Sequence, residues 1–168
     1  HEAGVTIVWR TDESIKHPRV VFQEEGNNEV LTCGGDAILS RGAKGEASLH
    51  SVPAGSVQYE AKLDGLKPLT NYRYVLYDGQ DALTEVGDEF RFKTYPRIGT
   101  TTPARIWVVG DSGTGELHQR LVHLAMKKYI ETSKRPLDFY LHVGDMAYGQ
   151  GTDDQFQTKF FAPYEKTL

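Results

Sequence analysis

Along residues 1–94 the apolar positions recur every second residue. Val5, Ile7 and Trp9 alternate with Thr6, Val8 and Arg10, and Val20 and Phe22 continue the style. Glu25-Gly26-Asn27-Asn28 reads as a turn. Val57, Tyr59, Ala61 and Leu63 alternate again, Tyr72, Tyr74 and Leu76 follow, and Phe90 and Phe92 close the series. Period-two runs broken by Gly, Asn, Asp and Pro predict short antiparallel strands, arranged as a sandwich. No helical spacing is visible before residue 110.

From residue 105 the pattern changes. Arg105–Gly110 is a short apolar run holding Ile106, Trp107, Val108 and Val109, as expected of a strand covered on both faces. Residues 116–132 carry helical spacing, with Leu117, Leu121, Leu124 and Lys128 on one stripe and Val122, Ala125 and Met126 beside it. Arg135-Pro136 ends that helix, because proline disfavours helical backbone at the residue before it. Leu137–Val143 is a second buried-type strand. Asp153 or Asp154 is placed to cap a further helix carrying Phe156, Phe160 and Phe161. Strand, helix, strand, helix predicts a βαβ beginning with its two strands parallel. The expected organisation is a β-sandwich over 1–94, a Pro- and Thr-rich linker over 95–104, and an α/β segment over 105–168.

Composition narrows the partners. The 168 residues carry 19 basic and 23 acidic side chains, a formal charge of −4, with the negative excess confined to the first 103 residues. A mildly acidic chain lacks the footprint of a nucleic-acid binder. No apolar run reaches the roughly 20 residues of a membrane span. A single cysteine, Cys33, excludes an internal disulfide and a Cys-rich zinc site. It has no neighbouring His or Asp pattern, which leaves it a structural role. The chain opens at His1 without a signal-peptide pattern, which points to an N-terminus already removed.

The chemistry lies where the two apolar strands end. The first runs into Gly110-Asp111-Ser112-Gly113, the second into Gly144-Asp145-Met146-Ala147-Tyr148. Loops at the carboxyl ends of parallel strands form the ligand crevice of open α/β sheets. Neighbouring strands lie about 4.8 Å apart, so Asp111 and Asp145 could share one small volume. Two carboxylates that close repel, and they need a proton or a cation between them. Oxygen donors suit a hard metal ion. Tyr148 is a poor ligand for most divalent ions, because a phenol keeps its proton to about pH 10, but a strong Lewis acid can remove that proton.

Two other signals are decoys. Gly110–Gly115 has P-loop spacing, but Glu116 stands where the phosphate-binding lysine is required. The histidines read as bystanders: His118 and His123 on different faces of the helix and solvated, His142 a satisfied group inside the second strand, His17 and His50 in sandwich loops.

Two resemblances follow from these residues. Leu66-Lys67-Pro68-Leu69-Thr70-Asn71-Tyr72 resembles the Leu-x-Pro-x-Thr-x-Tyr signature of fibronectin type III domains, in which the tyrosine hydroxyl bonds backbone at the sheet corner. Asp111-Ser112-Gly113 and Gly144-Asp145-Met146-Ala147-Tyr148 resemble the first two motif blocks of the purple acid phosphatases, which are calcineurin-like metallophosphoesterases. The second resemblance implies that Asp111 and Tyr148 hold a ferric ion and that Asp145 bridges it to a second metal, iron, zinc or manganese. It implies hydrolysis of phosphate monoesters at acidic pH by two-metal chemistry, and a secreted, vacuolar, lysosomal or periplasmic setting. The family's later blocks, Gly-Asn-His, a further His and Gly-His-x-His, do not occur here. The expectation is therefore an N-terminal portion, inactive alone, with three metal ligands and no catalytic residue of its own. Two other functions stay open: a calcineurin-like phosphoesterase acting on phosphodiesters or nucleotides with two divalent ions, and a non-catalytic binding module built on the sandwich.

Overall fold

A computed structural model describes residues 4–11, 15–38, 56–85, 87, 90–165 and 167. His50 lies outside these. The described chain is mostly β-sheet with few helices and divides into two compact units, one ending at Thr102 and the other beginning at Pro103.

The first unit contains β1 (Val5–Thr11), β2 (Pro18–Glu24), β3 (Val30–Gly34), β4 (Asp36–Ile38), β5 (Val57–Leu63), β6 (Asn71–Asp78), β7 (Asp81–Ala82) and β8 (Arg91–Lys93). They form two antiparallel sheets. One has the order β1-β5-β4, the other β3-β2-β6-β7 with β8 also on β6. Alternation decides which side chains go inside. Ile7 and Trp9 are buried while Val8 between them is exposed, and Val57, Tyr59, Ala61 and Leu63 are buried together on β5. Val20 and Phe22 of β2 join Tyr72 and Leu76 of β6 in the same cluster. Both sheets thus feed one core, the arrangement of a β-sandwich. Trp9 stacks on Tyr59 and Tyr72 on Phe92, with ring centroids 5.5 and 5.4 Å apart.

Tyr72 is 3% exposed, and its hydroxyl accepts the backbone N–H of Lys67 at 3.0 Å. A buried phenol needs such a partner. Thr94, also buried, donates its hydroxyl to Lys67 O and accepts the Thr70 N–H, which fastens the turn that leads into β6. Strands β3, β4 and β7 were not expected from the pattern. They are short, and β3 is largely exposed, so alternation has little to act on.

The second unit begins with β9 (Ile106–Val109), α1 (Leu117–Ser133) and β10 (Phe139–His142). β9 and β10 are parallel neighbours, with Ile106 opposite Phe139 and Val109 opposite His142. Three short pieces follow: α2 (Asp153–Phe156), a π-helical turn (Gln157–Phe161) and α3 (Ala162–Tyr164). Thr152, not Asp153 or Asp154, caps α2. Its hydroxyl accepts the Gln155 N–H while the Gln155 side chain accepts the Thr152 N–H, a reciprocal capping box.

This unit departs from expectation in two further places. Among the described residues the parallel pair is covered on one face only. Trp107, Tyr140 and His142 meet Phe160 and Tyr164 there, while Ile106, Val108, Leu141 and Val143 on the other face are about half exposed. Helix α1 exposes Leu117, Leu121 and Leu124 and buries Gln119 and His123 instead. As expected, α1 stops ahead of Arg135-Pro136: its last residue is Ser133, and Lys134, in left-handed backbone (φ 50°), closes the last turn.

Candidate functional site

Because β9 and β10 are parallel and in register, their Gly-Asp pairs leave the same end of the sheet. Main-chain bonds then lace the two loops together. Asp111 N donates to Gly144 O at 3.1 Å, Gly113 N to Asp145 O at 2.9 Å, and Tyr148 N to Gly113 O at 2.9 Å. Gly113 is buried at the crossing. A Cβ there would lie 2.1 Å from the carbonyl carbon and oxygen of Met146, so only glycine lets the loops approach this closely.

Asp111 and Asp145 both adopt left-handed backbone, with φ of 51° and 55°. Aspartate is among the few non-glycine residues that tolerate it, at a cost of order 1–3 kcal/mol each. Such conformations cluster where a site needs a particular side-chain direction. The Tyr148 hydroxyl donates to Asp111 Oδ1 at 3.2 Å. Its hydrogen bond with Asp145, then burial, then Asp111 hold its pKa well above the ordinary phenol value. The three residues singled out from the sequence are therefore brought to one place.

A further network supports the first loop. Ser112 Oγ lies 2.8 Å from His142 Nε2 and accepts from the Tyr164 hydroxyl at 3.2 Å. Gly144 N donates to His142 Nδ1, which leaves the proton on Nε2 and makes the imidazole the donor to Ser112. Burial lowers the His142 pKa against the pull of Asp111 and Asp145. His142 is thus a hydrogen-bonded group at the end of its strand, satisfied as its position suggested. Its contact with Ser112 was not foreseen, although Ser112 sits inside the first Gly-Asp block. His123 is not solvated. It is 8% exposed, stacks on Trp107 at 5.9 Å, and its Nε2 lies 2.6 Å from Thr167 Oγ1.

The donor set fits a hard cation in part. The Tyr148 hydroxyl bonds the carboxylates, and a highly charged ion in place of its proton would relieve the carboxylate repulsion and draw oxygen ligands only. Among the described residues no group of three or more His, Cys, Asp and Glu side chains is arranged to hold a metal ion. Asp111 and Asp145 supply two such side chains, and Tyr148 an oxygen donor of another type.

No protein-family model matches the sequence, and no curated protein matches it. The structure is similar to that of the purple acid phosphatase PPD1 from yellow lupin (Lupinus luteus) seeds, with a TM-score of 0.56 and 11% sequence identity. The likeness covers the whole of this chain and 38% of the lupin chain. It is a distant likeness of fold. No described helix is long and apolar enough to cross a membrane.

Proposed function

We propose that this chain carries part of the metal centre of a purple-acid-phosphatase-like enzyme that hydrolyses phosphate monoesters, with a fibronectin type III-like sandwich over 1–94, a linker over 95–104 and the opening of the phosphoesterase domain over 105–168. The observation that supports it most is the convergence of Asp111, Asp145 and the Tyr148 hydroxyl at the ends of two parallel strands. Asp111 and Tyr148 would hold a ferric ion, and Asp145 would also reach a second metal, iron, zinc or manganese. A trivalent ion supplies Lewis acidity toward a phosphoryl oxygen. The chain's own residues do the rest. Left-handed backbone aims both carboxylates, the glycine crossing fixes their spacing, and Tyr148 gives up its hydroxyl proton. The remaining ligands and the group that assists the leaving alcohol would come from outside this sequence.

One observation favours a second reading. The phenol is a hydrogen-bond donor to Asp111. In a calcineurin-like enzyme that uses two divalent ions, Tyr148 would keep that proton and orient the carboxylate.

Spectroscopy separates the two. The full-length protein loaded with ferric iron should show visible ligand-to-metal absorption and hydrolyse a phosphate monoester, and Tyr148→Phe should abolish the absorption. A colourless enzyme, active with divalent ions on diesters and insensitive to Tyr148→Phe, would establish the second reading instead.

A further inference from the structure

Tyr148 is held by its backbone as well as by its hydroxyl, and the residues that hold it form a closed circuit. Its N–H donates to Gly113 O. Its carbonyl accepts a short hydrogen bond from the Lys159 ammonium. The Lys159 carbonyl accepts from the side-chain amide of Gln119, whose oxygen in turn accepts the Gly115 N–H at 2.7 Å. Gly115 lies two residues after Gly113, so the circuit returns to its start. Both loops that carry the candidate ligands are fastened to one point.

That point is built to be rigid. Lys159 stands in the π-helical turn Gln157–Phe161, and π turns re-aim side chains relative to a regular helix. The next residue, Phe160, is 5% exposed and packs on Tyr140, His142 and Tyr164, which anchors the turn in the aromatic cluster. The Lys159 stem lies over Gly115, where a Cβ would come within 3.1 Å of its Cγ. Gln119 is 5% exposed, and both ends of its amide are used. A buried amide on an otherwise leucine-rich helix is costly unless satisfied in this way. An ammonium on a carbonyl is a charge-assisted bond, and its remaining positive charge stands beside the loop that carries Asp145 and Tyr148.

We propose that Lys159, seated by Gln119, is a positioning residue that pins the Tyr148 peptide from its carbonyl side and so fixes the direction of the phenol toward Asp111 and Asp145. This rests on the reading of Tyr148 as a metal ligand. Groups that orient ligands from outside the coordination shell change metal affinity by about 10- to 100-fold.

The experiment uses the full-length protein with and without ferric iron. In the metal-free protein, Lys159→Met keeps the stem over Gly115 and removes the ammonium. Exchange of the Tyr148 amide with deuterium should quicken about 10-fold, the nuclear magnetic resonance signals of the Tyr148 ring should move, and Lys159→Arg should restore both. With iron, the visible band of Lys159→Met should shift and the iron affinity should fall about 10-fold, again restored by arginine. Unchanged amide exchange and ring signals in Lys159→Met overturn the proposal, as does a faster exchange that leaves the band and the iron affinity as in wild type. If Lys159→Met loses the cooperative thermal transition of wild type, Gln119→Ala carries the same test with the same outcomes. Absence of any band in the wild type would refute the phosphatase reading instead, and the metal-free signals, with their restoration by arginine, would still decide the clamp.

Discussion

Asp111 and Asp145 occupy backbone that most residues avoid, and Gly113 between them occupies space that no side chain can share. These features follow from one requirement: two parallel strands must present two carboxylates at a single point without their loops colliding. Gly113→Ala would drive a Cβ into the Met146 carbonyl, which is main chain and cannot swing aside. It should destabilise the second unit by about 1–3 kcal/mol, read from denaturant unfolding. It should also weaken metal binding by about 10- to 100-fold, read by titration with ferric iron. Stability and binding both at wild-type values would show that the loops do not depend on this crossing. The pair of Gly-Asp blocks and Tyr148 were legible in the sequence because each sits at the end of an apolar run. Lys159 and Gln119 were not. They carry no motif and act through main-chain groups of residues distant in the chain.

Strands β1, β2, β5 and β6 were legible because each buries alternate residues, and that period is all a reader of sequence has. Strands β3, β4 and β7 escaped because they are short edge strands, and β3 and β7 bury no alternate residues that would give a period. Helix α1 was found but its buried side was misjudged. Leucine spacing pointed to Leu117, Leu121 and Leu124, whereas Gln119 and His123 go inside because Gly115, Lys159 and Thr167 satisfy their polar atoms. The Thr-x-x-Gln signal at Thr152 was available and marks the cap better than the aspartates after it. The corner before β6 was legible from Leu66 to Tyr72, and it gives a test of its own. Tyr72→Phe keeps the ring stacked on Phe92 but strips the Lys67 N–H of its partner. The cost should be about 1–3 kcal/mol, measured as a lowered thermal midpoint of the first unit. An unchanged midpoint would mean that water replaces the hydroxyl.

The second unit should respond to acid through His123, with His142 acting in the same direction. Burial, and after it the nearby charge of Lys127, lower the His123 pKa below the ordinary histidine value, against the Pro163 carbonyl that hydrogen-bonds the ring. The folded state therefore favours the neutral imidazole. The stability this contributes is complete above about pH 6.5, the value expected of the unfolded chain, and is lost as pH falls below it through the folded pKa. Thermal unfolding of the second unit should show a midpoint that declines between about pH 7 and 5, and His123→Asn should flatten that decline. An identical slope in the variant would assign the acid response to other groups. Such a loss of stability would oppose work at acidic pH, so an enzyme of the proposed type would need compensation from other groups.

The lacing of the two loops consists of peptide groups, and peptide groups are blind to which side chain a position carries. Descendants of this sequence are thus free to drift at Met146, whose side chain takes no part in the lacing. At Gly113 they are frozen, since every other amino acid brings a Cβ. A lineage that lost this one glycine should be found to have lost its pair of aspartates soon after.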